Sequence, residues 1–102
     1  MAKKAVVWTQ TAIKQRREIL KYWTIRNKST VYAEKLIELI RERIDIIIES
    51  PEAGKPTSHA ETRESALGNF SIYYKVQRGK IFVTAFWDNR QNPKKLIKII
   101  KG

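Results

Sequence analysis

Cysteine is absent from this chain and histidine occurs once, at His59. Without thiols there is neither a disulfide framework nor thiol chemistry. One imidazole with no thiolate beside it excludes a structural zinc site, so neither metal nor cofactor is expected. Proline and glycine are few, and those present punctuate the chain: Pro51 stops a helix, Gly54 and Pro56 mark a loop, and Gly79 marks a turn. No apolar run approaches the roughly 18 residues that a membrane helix needs. The opening MAKKAVVW turns polar too quickly for a secretory signal, which leaves a soluble cytoplasmic protein without a membrane role as the expectation. Acidic residues are also scarce, ten against 21 Lys/Arg, for a formal net charge of +11.

What is present suits one domain spanning residues 1–102. Hydrophobic residues make up 42% and include three Trp, enough for a modest core and against disorder. The charge is segregated. Residues 1–28 carry eight Lys/Arg and one acid, Glu18, and residues 65–102 carry eight and one, Asp88. Between them, residues 29–64 hold five Lys/Arg and eight acids. Folding requires no such imbalance, and self-repulsion makes it mildly costly. Its simplest use is a polyanionic or strongly acidic partner.

Periodicity divides the chain in two. Ala5–Trp8 is a short apolar run suited to an edge strand, and Thr9 or Thr11 can cap the helix that follows. In that helix Ala12, Ile13, Ile19, Leu20 and Trp23 share a face, opposite Lys14, Arg17, Lys21 and Arg26. Asn27-Lys28-Ser29 reads as a turn, with Ser29 or Thr30 capping a second helix. Its stripe is Ala33, Leu36, Ile37, Ile40, Ile44, Ile47 and Ile48. Two helices joined so tightly pack antiparallel. After a loop over residues 51–60 the period becomes two. Residues 62–68 form a strand. Phe70, Ile72, Tyr74 and Val76 alternate with Ser71, Tyr73, Lys75 and Gln77, and residues 81–87 form the next strand beyond an Arg78-Gly79 turn. Successive strands with short turns are antiparallel. Asn89-Arg90-Gln91-Asn92-Pro93 reads as a closing turn, and Pro93 can open a short C-terminal helix with Leu96, Ile97 and Ile100 on one edge. The predicted fold is α+β: an N-terminal strand, an antiparallel helical hairpin on a mainly antiparallel sheet, and a short C-terminal helix or tail.

Several stretches in this order resemble the RelE/ParE superfamily of toxins from type II toxin–antitoxin modules. They are Val7-Trp8-Thr9 leading into Ala12, Tyr22-Trp23, Tyr32-Ala33-Glu34-Lys35-Leu36, Ser50-Pro51 with Gly54, Arg63, Leu67-Gly68-Asn69-Phe70, Ile72-Tyr73-Tyr74 and the closing turn around Arg90. Each is mostly core or turn chemistry, and their order and spacing carry the likeness over nearly the whole chain. The resemblance implies the fold drawn above and a small basic toxin of a plasmid-stabilisation system, neutralised by a co-expressed acidic antitoxin. It leaves open a homodimer or a hetero-oligomer with that antitoxin. It also implies two activities: messenger RNA cleavage on the ribosome in the RelE-like branch, and inhibition of DNA gyrase in the ParE-like branch.

RNA cleavage by 2′-hydroxyl attack needs a base, an acid for the leaving oxygen, and cations for the phosphate. Ser71 stands where many nuclease members carry arginine, and Phe86-Trp87-Asp88 lacks the His or Tyr that some present there. The ParE-like branch is therefore favoured. A ribosome-dependent endonuclease and a non-toxic nucleic-acid-binding module are the alternatives. Candidates for a substitute catalytic set are Arg63, Tyr73, Lys75 and Arg90. The expected target contacts are Arg90, Arg78, Lys80, Lys94 and Lys95, with Lys75, Arg78, Lys80 and Arg90 able to form one phosphate-binding cluster and Arg63 on the same surface. The expected antitoxin contacts are Lys14, Arg17, Lys21, Leu96, Ile97 and Ile100. Arg90 is the leading single residue, weighed evenly against a structural pairing with Asp88 or a helix end. His59 reads as a solvated loop residue.

Overall fold

The computed structural model describes residues 4–59 and 61–91. In chain order these form β1 (Ala5–Trp8), α1 (Gln10–Asn27), α2 (Val31–Glu49), a 3₁₀ turn (Pro51–Ala53), β2 (Lys55–Pro56), β3 (Thr62–Leu67), β4 (Phe70–Gln77) and β5 (Lys80–Asp88). The sheet order is β1-β5-β4-β3-β2, with β1 parallel to β5 and every other pair antiparallel. The α+β architecture is as expected. The stretch expected as a plain loop, 51–60, instead carries the 3₁₀ turn and a two-residue edge strand, where the missing N–H of Pro56 does little harm. The C-terminal helix expected from Pro93 lies outside the described residues.

The helix ends follow from local chemistry. Thr9 is extended, and its hydroxyl accepts from the Ala12 amide at 3.2 Å. Lys28 takes a left-handed conformation at φ 53°, and Ser29 N–H donates back to Thr24 O at 3.2 Å, closing α1. Ser29 Oγ, not Thr30, accepts from the Val31 amide at the start of α2. The two helices then cover one face of the sheet. Ala12 and Ile19 of α1, and Leu36, Ile40 and Ile47 of α2, pack on Leu67, Phe70, Ile72, Tyr74, Ile81, Val83 and Phe86. Ile13 and Ile37 belong to the apolar stripes but stay exposed, so the stripes are wider than the buried faces.

β5 is the pivot of the sheet, lying between β1 and β4. Its core-facing residues are Ile81, Val83 and Phe86, which no strict alternation could place on one side. The break is a bulge: Tyr73 pairs with Ala85 but Tyr74 with Val83, which leaves Thr84 as the extra residue. The Thr84 hydroxyl donates to the Tyr73 carbonyl at 3.3 Å across the irregularity. At the other end of the hairpin, Arg78 and Gly79 both have positive φ (54° and 72°), the twist-matched two-residue turn of a β-hairpin.

One strand residue ties the helical layer's exit to the sheet. Tyr74 Oη donates to the Pro51 carbonyl at 2.6 Å and accepts from the Gly54 amide at 3.1 Å. Arg63 Nη1 donates to the Glu52 and Gly54 carbonyls at 3.0 and 2.8 Å. Burial raises the Tyr74 phenol above its ordinary range, so it stays protonated to donate. A Cβ on Gly54 would fall inside contact distance of the Tyr74 phenol. In urea unfolding, Tyr74→Phe is expected to cost about 1–2 kcal/mol by leaving the Pro51 carbonyl and Gly54 amide unpaired. Gly54→Ala is expected to cost at least as much, and the double variant less than the sum of the two, because both act on one contact.

Candidate functional site

The sheet face opposite α1 and α2 carries a polar cluster on an aromatic floor. Ser71 and Tyr73 of β4 point to it together with Ala85 and Trp87 of β5, and all four are buried. Glu64 of β3 pairs in register with Tyr73. Its carboxylate Oε2 accepts from Ser71 Oγ at 2.5 Å and from Tyr73 Oη at 3.3 Å. Asn89 Nδ2 donates to Ser71 Oγ at 2.9 Å. The serine therefore gives its one proton to Glu64 and receives one from Asn89. Burial first, and the Glu64 charge second, push the Tyr73 phenol up, so at neutral pH it is a donor and not a base. Tyr73 lies on the face opposite Tyr74, as the alternation requires, but at 7% exposure it is not an open side chain.

Of the other predicted residues, Lys75 shares the Tyr73 face, half-buried two residues further along β4, and the rest lie farther off. Arg63 pairs with Tyr74 and lies on the helix side, bonded to the 51–54 segment. Arg78 and Lys80 are exposed at the β4–β5 turn. Arg90 follows the far end of β5, about 26 Å away at ~3.3 Å of strand rise per residue. The expected single phosphate cluster of Lys75, Arg78, Lys80 and Arg90, with Arg63 beside it, is thus spread over both faces and both ends of the sheet. Lys14, Arg17 and Lys21 are exposed on α1 and take part in neither ion pair found among the described residues. Lys94, Lys95, Leu96, Ile97 and Ile100 lie outside the described residues.

Arg90 instead closes a cleft between α1 and the end of β5. Its Nε and Nη2 reach the two carboxylate oxygens of Asp88 at 2.8 and 2.7 Å. Its guanidinium carbon lies 5.0 Å from the Trp23 ring and 5.9 Å from Phe70. The Arg90 hydrogen bonds hold the Asp88 carboxyl below its ordinary range, against the opposing effect of partial burial. A second guanidinium, Arg26, lies 5.5 Å from the same indole and donates to Tyr22 Oη at 3.0 Å. Tyr32 of α2 packs on Trp23 at 5.1 Å. The cleft has a volume of about 650 Å³ and is walled by Gln15, Tyr22 and Trp23 on one side and by Phe86, Asp88 and Arg90 on the other.

Sequence reasoning placed Trp23 on the apolar face of the first helix, where it does pack against the core, and left Gln15 and Tyr22 unassigned. One available signal was Trp23 with Arg26, three residues apart on one helix face, a spacing that brings an indole and a guanidinium together. Among the described residues no group of His, Cys, Asp and Glu has the arrangement of a metal site, and no helix is long and apolar enough to cross a membrane.

A sequence-family model described as the ParE toxin of the type II toxin–antitoxin system parDE matches residues 6–93. The chain belongs to the ParE toxin family. One similar solved structure is described as the chromosomal ParDE toxin–antitoxin system from P. aeruginosa. It aligns at a TM-score of 0.72 and 18% identity, over 82% of this chain and 94% of the other, a likeness of fold. No curated protein matches the sequence. Within this ParE-family fold, the arginine of the closing turn is an intramolecular clasp between the sheet's last strand and the first helix.

That clasp carries a pH signature. Because the Asp88 carboxyl is held below its ordinary value of 3.8, its contribution is complete above that value and is lost as pH falls through the lowered one. Asp88→Asn is expected to lower Tm at pH 7. The gap to the wild type should narrow once pH falls below about 4, as melting curves at both pH values will register.

Proposed function

We propose that this chain is the toxin of a type II toxin–antitoxin pair, that it arrests growth by ParE-like, non-nucleolytic action on DNA gyrase in the cytoplasm, and that an acidic antitoxin neutralises it. The observation supporting the non-nucleolytic branch is the Glu64–Ser71–Tyr73 cluster. On the face opposite α1 and α2, where RelE-like chemistry would need a free base, the chain sets the Glu64 carboxylate, with Lys55 across from it and Lys75 beyond Tyr73. Two hydroxyl donors occupy that carboxylate, and Arg63 is turned to the opposite side. Tyr73 has no basic form to offer at neutral pH. The surplus positive charge serves protein recognition on this reading. Lys14, Arg17 and Lys21 give the antitoxin an accessible basic stripe along α1, and complementary charge speeds and selects such encounters.

Ribosome-dependent RNA cleavage is the second reading, favoured by the net charge of +11 and by the exposed Arg78 and Lys80. Induced expression with mapping of messenger ends, alongside a supercoiling assay on the purified protein, separates the two. Growth arrest with intact messages and blocked gyrase supercoiling is expected, relieved by the small acidic protein of a neighbouring gene and unchanged by Tyr73→Phe. Codon-phased cuts that Tyr73→Phe abolishes would replace this reading with the ribosomal one.

A further inference from the structure

The cleft between α1 and β5 holds two hydrogen-bond donors with no acceptor among the described residues. Gln15 Oε1 accepts from the Phe86 amide at 2.9 Å. An amide N–H can meet only an acceptor there, so the orientation of the Gln15 side chain is fixed and its NH₂ is directed elsewhere. That Nε2 and the indole Nε1 of Trp23 are both buried and have no partner among the described residues. Both residues line the same cleft. Leaving a donor buried and unpaired costs more than an ordinary hydrogen bond gains, and two beside one cavity form an unfilled acceptor site.

The surroundings narrow the ligand. Arg26 and Arg90 border the cleft, and Arg90 is already neutralised by Asp88 in a two-point pair. Arg26 bonds only to a neutral phenol among the described residues and keeps its charge. Glu18, the cleft's other acid, is exposed as Arg26 is, so the four charges of the lining sum to zero. Two neutral donors beside one guanidinium that is in no ion pair among the described residues suit a single carboxylate better than a doubly charged phosphate. The aromatic walls, Tyr22 and Trp23 with Phe86 behind them, suit an apolar neighbour of that carboxylate. The chain's excess of 21 Lys/Arg over ten acids draws an acidic polypeptide to it and repels a second copy of itself.

We infer that this cleft binds an acidic peptide segment, taking one carboxylate on Gln15 Nε2 and Trp23 Nε1 under Arg26, with an adjacent apolar side chain against Tyr22. Tyr22 and Arg26 are exposed on the rim and swing aside to admit it. Assigning that segment to the antitoxin rests on the toxin reading above.

Tryptophans 8, 23 and 87 each give one indole signal in a ¹H–¹⁵N spectrum of the full chain. The probe is a blocked peptide of alternating glutamate and leucine, with inorganic phosphate as the comparison. The Trp23 indole proton is expected to move downfield and saturate with the peptide. Gln15→Glu keeps the acceptor for Phe86 but replaces the free donor with a charge that repels the carboxylate. It should weaken binding by about tenfold or more while the backbone amide signals distant from residue 15 and the Trp23 indole keep their positions in the free protein. Trp23→Phe, which keeps an aromatic ring, should weaken it by several-fold as read from the Gln15 side-chain amide, and this holds the test open should Gln15→Glu fold poorly. A stationary Trp23 indole with shifts confined to Lys14, Arg17 and Lys21 would overturn the assignment. So would unaltered affinity in both variants, or phosphate saturating the indole at the same concentrations. Growth arrest does not enter this readout. A silent Trp23 therefore leaves the toxin reading standing, and a failed toxicity assay leaves the titration standing.

Discussion

The structure depends on one strand being buried on both sides and changing phase midway. β5 must give Ile81, Val83 and Phe86 to the helix-side core while giving Ala85 and Trp87 to the other face. A regular strand cannot meet both demands, because residues 83 and 86 have opposite parity. The extra residue at Thr84 resolves the conflict, and its small, hydroxyl-bearing side chain returns a hydrogen bond to the carbonyl opposite. Phe86 then stacks on Phe70 at 5.5 Å, under the helices.

The same region ends the β1–β5 ladder. β1 pairs only from Ala5 to Trp8, as far as Val83, after which the chain rises into α1. Among the described residues, the second half of β5 therefore has no strand on that side. Thr9 N–H still reaches the Val83 carbonyl, and Gln15 reaches the Phe86 amide. The cleft is the space left where a nine-residue strand outruns a four-residue neighbour. Arg90 and Asp88 close its far end. A mismatch of strand lengths, made tolerable by one bulge, is thus what sets the Gln15 amide and two guanidiniums around the Trp23 indole.

What was legible in the sequence was what local periodicity encodes. The α2 stripe, the Phe70–Gln77 alternation, the helix cap at Thr9 or Thr11 and the Arg78-Gly79 turn each depend on residues a few positions apart. The cap is Thr9, the stripe is wider than its buried face at Ile37, and β4, read as half-buried, is buried on both faces over residues 70–74 while Val76 is exposed. β2 was not legible because two residues, one of them proline, carry no pattern. The placement of Arg63 depends on its register against Tyr74, a pairing eleven residues away. Tyr73 was assigned to the correct face, but its burial depends on Trp87 and Ala85 across the sheet. Arg90 was weighed between target contact and pairing with Asp88, and the geometry is that of the pairing. Gln15 carried no signal at all. A glutamine on a helix is unremarkable until the partner of its carbonyl, 71 positions on, is known.

Thr84 is thus a phase reset within β5, and thermal unfolding of a variant lacking Thr84, set against one lacking Phe82, tests this. Deletion of Thr84 leaves Ile81, Val83 and Phe86 on one side of a regularly alternating strand and is predicted to melt cooperatively. Deletion of Phe82 keeps the bulge but puts Ile81 and Val83 on opposite sides, and is predicted to abolish cooperative unfolding. A Phe82-deleted variant that melts like the wild type, or a Thr84-deleted one that does not fold, would contradict this assignment.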